Sequence, residues 1–112
     1  MTAKRFGALD LTLNTYTILM SGPAGFSSTA NVRFVNRNAT PVKVRLALVD
    51  APAASALVSL ASEDYLEFDI EVRANGVLEN TGIVIPENFS LVARSDTSSV
   101  TVVAFGFEEQ NV

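Results

Sequence analysis

The sequence predicts an all-β protein, a single antiparallel β-sandwich or jelly-roll-like domain of about eight strands over residues 1–112. Apolar and polar residues alternate with a period near two through most of the chain, and clusters of Gly, Pro, Asn, Asp and Ser recur about every ten residues. A chain of 112 residues has the size of one domain. It can bury roughly 60–70% of its unfolded surface, enough for a core without a metal or a disulfide. No repeat of fixed period divides it.

A short strand is expected around Ala8 to Leu11, then one from Thr15 to Met20, rich in Thr, Tyr and Ile, which Ser21-Gly-Pro-Ala-Gly-Phe26 ends. In Thr29–Val35, Ala30, Val32 and Phe34 alternate with Asn31 and Arg33, so one face is expected to be buried. Asn36 to Pro41 interrupts this strand, because Asn favours turn conformations and Pro41 holds Thr40 extended. Val42, Val44, Leu46 and Leu48 then alternate with Lys43, Arg45, Ala47 and Val49, and the two segments read as an antiparallel hairpin. Leu66, Phe68, Ile70 and Val72 alternate with Glu67, Asp69, Glu71 and Arg73. Asn75-Gly76 follows, the pair that tolerates positive φ at both centres of a type I′ turn, so Val77–Ile85 is expected to return as the partner in a second hairpin. Pro86 to Asn88, Phe89 to Arg94, Ser95 to Ser98 and Ser99 to Phe107 supply a turn, a strand, a turn and the last strand.

Ala51–Ser62 breaks the alternation and is expected to form a long Ala/Ser-rich loop rather than a helix. Its apolar residues, Leu57, Val58 and Leu60 among them, fit either an arm that orders against a neighbouring subunit or a cover over one open end of its own sandwich.

The chain contains no His, Cys or Trp, the first two of which carry most acid–base, nucleophilic and transition-metal chemistry. A non-enzymatic protein without cofactor, metal or small-molecule substrate is therefore expected. The net charge of −4 and the absence of a basic stripe argue against a nucleic-acid partner. Asp10 interrupts the apolar stretch that a secretory signal needs, and no window offers the about 18 to 20 uninterrupted apolar residues of a membrane span. Neither export nor a membrane partner is expected.

Glu67, Asp69 and Glu71 would share one face of a regular strand, but steps of about 7 Å keep three carboxylates in a row from surrounding one ion. A solvated face opposite Lys43 and Arg45 is the expected arrangement. Arg33, Arg37, Lys43 and Arg45 would line one side of the first hairpin, again as a solvated face. Asn38-Ala-Thr40 and Asn88-Phe-Ser90 match the glycosylation pattern, which acquires meaning only in a secreted chain. The glycines form no phosphate-binding motif.

The last strand carries Val100, Val102, Ala104 and Gly106 on one face and Thr101, Val103, Phe105 and Phe107 on the other, so both sides are largely apolar. A two-layer sandwich buries only one of them. Together with 48% hydrophobic residues and a mean hydropathy of +0.30, this points to association. The candidate interface residues are Val103, Phe105 and Phe107 on the strand and Leu57, Val58 and Leu60 in the loop.

Four segments resemble small virion proteins of tailed bacteriophages: Arg5-Phe-Gly-Ala-Leu-Asp-Leu11, Phe34 to Leu48, Asn75-Gly-Val-Leu-Glu-Asn-Thr-Gly82, and Leu91 to Glu109. The likeness is one of strand-and-turn phrasing and includes no catalytic signature. It implies a β-sandwich structural protein of the phage particle, first a capsid decoration (cement) protein, alternatively a tail, collar or fibre component. The implied partner is the major capsid protein or another virion protein, and the implied form a homo-oligomer, with a trimer matching the local threefold positions of shells. Its place would be the virion, after synthesis in the host cytoplasm. A receptor- or carbohydrate-binding sandwich is the alternative of another class, poorly provided for by Tyr16 and Tyr65 as its only Tyr or Trp rings. Far-ultraviolet circular dichroism of the purified protein is expected to show a β spectrum, and a helix content above about one third would reject the strand reading.

Overall fold

The computed structural model describes residues 1–111, and it is nearly all-β, with 61% strand and 6% helix. One sheet has the order β1 (Thr2–Asp10), β8 (Val100–Gln110), β3 (Phe26–Asn36), β6 (Val77–Ile85). The other has the order β2 (Thr17–Ser21), β7 (Ser90–Ser95), β4 (Val42–Val49), β5 (Tyr65–Val72). All pairings between these strands are antiparallel, and four of them join β1 to β8, β2 to β7, β3 to β6 and β4 to β5. The two halves of the chain thus run side by side as one long ribbon folded across two layers, the winding of a jelly roll.

Neither expected hairpin forms. β3 and β4 lie in different sheets, as do β5 and β6, so both connections cross from one layer to the other. The turn at Asn75-Gly76 is not type I′: Asn75 has φ 55°, whereas Gly76 is not left-handed. The Gly76 amide donates to the Arg73 carbonyl at 2.9 Å, which with one left-handed residue in third place is the pattern of a type II turn. Gly76 is required for space instead, since a Cβ there would collide with the Arg73 side chain.

A buried asparagine organises this end of the sandwich. Asn36 Nδ2 donates to the carbonyls of Thr40, Val72 and Arg73 at 2.9, 3.1 and 3.0 Å. Its Oδ1 accepts from the Asn38 amide and Asn38 Nδ2 at 2.9 and 3.0 Å, and Asn38 Nδ2 also donates to the Ser98 carbonyl at 2.8 Å. The β3–β4, β5–β6 and β7–β8 connections are thereby tied together.

The core between the sheets contains Ala30, Val32, Phe34, Val42, Val44, Leu46, Val100, Val102 and Ala104, the period-two positions expected of β3, β4 and β8, together with Leu91 of β7. A second cluster lies on the opposite face of the β2-β7-β4-β5 sheet, where Ala47, Val49 and Val92 pack with Ala51 and Ala56. Residues 51–62 are therefore not an open loop across one end of the sandwich. They include a one-turn helix, α1 (Ala56–Ser59), followed by a 3₁₀ turn at Ser62–Asp64. With Ala56 fully buried, the segment lies flat on the outside of its own sheet. Small residues at 47, 51 and 56 allow this close approach, and Ser90 Oγ donates to the Ala51 carbonyl at 2.8 Å to hold it.

Strand β5 departs from the expected alternation. Leu46 is registered with Glu67 but Val44 with Ile70, so Phe68 and Asp69 together face Arg45, and Asp69 takes φ 53°. A second shift leaves Leu66 as an extra residue. Leu66, Phe68 and Ile70 are exposed and only Val72 of that apolar row is buried. Glu67 is registered with core-facing Leu46 and Glu71 with outward Lys43, so the three carboxylates do not form one row. Arg33 and Arg37 likewise part from Lys43 and Arg45, because β3 and β4 belong to different sheets.

Replacement of Asn36 by Ala leaves the Thr40, Val72 and Arg73 carbonyls short of a donor, and is expected to cost about 2–4 kcal/mol. Asn36→Asp, which keeps the size but loses the donors, is expected to be nearly as damaging. Urea denaturation checks both as a lower midpoint at unchanged slope.

Candidate interaction surfaces

Strand edges are the first places to look for association, because an edge offers unpaired amides and carbonyls to another chain. Here the edges are blunted. The central pairings β3–β8 and β4–β7 run in unbroken register, whereas every pairing that involves an edge strand contains a shift: β1–β8, β2–β7, β3–β6 and β4–β5. In β6 the irregularity includes Gly82 at φ 71°, whose amide donates to Asn31 Oδ1 at 3.0 Å instead of continuing the ladder.

The two outer faces differ in kind. Among the described residues no element packs over the outer face of the β1-β8-β3-β6 sheet. Its cross-strand rows follow from the register: Ala3, Phe107, Thr29 and Val84 form one row, Arg5, Phe105 and Asn31 the next, then Ala8, Val103, Arg33 and Glu79. Phe107 and Val84 are 49% and 61% exposed. Phe105 and Val103 are half-buried, with the Arg33 guanidinium carbon 5.7 Å from the centre of the Phe105 ring. Arg33 is also bridged to Glu79 at 3.2 Å. The strand half of the expected interface is thus a continuous, partly apolar column on an open face.

The loop half lies elsewhere. Leu57 and Val58 point outward from α1 and Leu60 packs against the second cluster, all on the outside of the other sheet. The six residues Val103, Phe105, Phe107, Leu57, Val58 and Leu60 therefore sit on opposite sides of the sandwich and do not make one site.

Beside α1, the same side carries a group of aromatic and charged residues that the sequence did not single out as a site. Arg45 binds Asp69 through two bonds of 2.6 and 3.1 Å, donates to Tyr16 Oη at 2.6 Å, and stacks 4.2 Å from the Phe68 ring centre. Tyr16 and Tyr65 hydroxyls are 2.6 Å apart. Tyr65 also meets Phe68 edge to face, 4.8 Å between ring centres. Burial raises the Tyr16 phenol, but bonds from Tyr65 and Arg45 outweigh it and hold the group below its ordinary value. Burial and the shared bond with Tyr16 push Tyr65 up. The bond from Arg45 pulls Asp69 below its ordinary value. The signal that would have exposed this group is the bulge, which brings Asp69 round to Arg45; the cross-strand pairing of Arg45 with an acidic row was the visible part of it.

Among the described residues no cavity opens, and no group of three or more His, Cys, Asp or Glu converges. No helix is long and apolar enough to cross a membrane. Compared with known proteins, the chain matches no protein-family model, and a search of curated proteins finds no significant match.

Because Asp69 is depressed from its ordinary 3.8, its ion pair contributes stability that is full above that value and is lost as pH falls through the lower folded value. Denaturation midpoints between pH 6 and 2 are expected to fall more steeply for the parent than for Asp69→Asn, with the difference confined to the region below about pH 4.

Proposed function

We propose that this chain is a non-enzymatic structural protein of a tailed-bacteriophage particle, a capsid decoration protein that docks through the outer face of its β1-β8-β3-β6 sheet. The observation that carries this reading is the contrast between the two outer faces. Residues 51–62 cover part of one, while the other leaves Phe107 and Val84 open to solvent. Bulged edges favour attachment through a face over strand addition. The resemblance to small virion proteins supplies the setting, and the major capsid protein is the partner it suggests.

Size bears on the mechanism. Four strands of nine to eleven residues, about 4.8 Å apart, give a face of roughly 600 Å², below the ~800 Å² per partner of standard interfaces. One copy would bind weakly, and an oligomer, such as a trimer, would gain by engaging several shell sites at once. The carbohydrate-binding alternative is less well supported. The Tyr16 and Tyr65 hydroxyls are spent on each other and on Arg45, and Arg94 lies 5.5 Å from the centre of the Tyr16 ring.

The parent protein is expected to sediment as an oligomer and to co-sediment with particles stripped of it. Phe107→Asp is expected to lower particle binding by at least tenfold while leaving the β spectrum unchanged, since Phe107 is half-exposed. A strictly monomeric parent that binds no particle, or a variant that binds as the parent does, overturns the reading. Electron cryomicroscopy of decorated particles separates the shell from the tail, collar and fibre.

A further inference from the structure

Arg45 and Arg94 are directly opposed across β4 and β7. Like charges in that relation are unfavourable unless something neutralises them. Asp69 serves Arg45 through both of its oxygens. No carboxylate lies within salt-bridge distance of Arg94 among the described residues, although Asp69 is near enough to feel its charge; its side-chain bond goes to Asn14 Oδ1 at 2.9 Å. Its guanidinium is held against the Tyr16 ring, 5.5 Å from the ring centre. A guanidinium has five N–H donors in a fixed fork, so one neutral bond leaves most of them available. Phe68 stands beside the group with 53% of its surface exposed.

We propose that this side of the sandwich is a second interaction surface, in which Arg94 receives a carboxylate from an acidic protein segment while Phe68 and Tyr16 supply the aromatic surround. The partner's carboxylate does for Arg94 what Asp69 does for Arg45, so two opposed cations are matched by two anions. Arginine and tyrosine are the residue types that dominate binding energy at protein interfaces, and here both are held in place before any partner arrives. A nucleic-acid backbone is disfavoured, because this side offers Arg94 as one available guanidinium, Arg45 being taken by Asp69, and not the stripe of cations that a run of phosphates engages. The surface lies on the opposite side from the docking face proposed above and depends on separate residues, so a decoration protein built this way would have one side for the shell and one for a further protein.

The test is a nuclear magnetic resonance titration of the full chain with a glutamate-rich peptide, with inorganic phosphate and a short single-stranded oligonucleotide as separate arms. Saturable shifts are expected at the Arg94 Nε–H and the Tyr16 ring with the peptide. The affinity read from the Tyr16 ring shifts should weaken at least tenfold in Arg94→Gln, whereas Arg33→Gln, on the opposite face, leaves it unchanged. Arg94→Lys keeps the charge but loses the fork, and is expected to recover only part of the affinity. Three results overturn the proposal: no saturable shift with the peptide, shifts spread equally over Arg33 and Lys4, or stronger binding of phosphate or oligonucleotide at Arg94. The particle-binding assay with Phe107→Asp reads the other face, so the two readings fail independently.

Discussion

The structure depends on how three chain crossings between two layers are held at one end. A jelly roll has few local pairings. Of consecutive strands only β4 and β5 share a sheet, so nearly every sheet contact joins residues far apart in sequence. Such a fold must close large loops before contacts reward it, and the polar backbone of the crossings must find partners away from water. Asn36 meets that need. Its amide supplies donors to carbonyls on either side of the fold and acceptors to the turn that follows, from a position almost wholly buried. An apolar residue of the same size would pack there but leave those groups unpaired.

The same economy of polar groups shapes the edges. Central strands run in unbroken register and carry the core, while each pairing with an edge strand is interrupted. The interruptions cost ladder bonds locally and make the edges poor templates for a further strand.

The two faces solve different problems. On the β2-β7-β4-β5 sheet, the outer side of β4 and β7 is apolar at Ala47, Val49 and Val92, and the chain covers that part itself with residues 51–62. Next to that cover, Arg45 joins Asp69, Tyr16 and Phe68 into one group that pins the bulged edge strand to its neighbour. On the β1-β8-β3-β6 sheet the outer apolar residues are interleaved with Arg33, Glu79 and Asn31, and none of the described elements covers them. A sheet face of mixed character remains soluble alone and still offers aromatic contact to a partner.

Much of this was legible in the residues. Period-two alternation placed Ala30, Val32 and Phe34 inside, showed that the final strand has two apolar faces, and with the spacing of turn formers defined an all-β sandwich. The two-sidedness of the final strand needs no knowledge of topology, because alternate residues of any strand face opposite ways. What local pattern could not convey is which strands pair. Asn75-Gly76 and the Asn36–Pro41 stretch read as hairpin turns, yet each leads into the other sheet, because the choice between hairpin and crossover is made by the burial of Asn36 and by the long-range ladders. The face that Phe68 and Asp69 occupy was equally hidden, since one bulge reverses every side chain beyond it. Sequence by itself therefore determined strand content, the inward rows of β3, β4 and β8 and the surplus apolar surface, all consequences of alternation. Only the tertiary structure decided the winding, the separation of the candidate residues onto opposite faces and the meeting of Arg45, Asp69 and Tyr16, because those depend on register between segments remote along the chain.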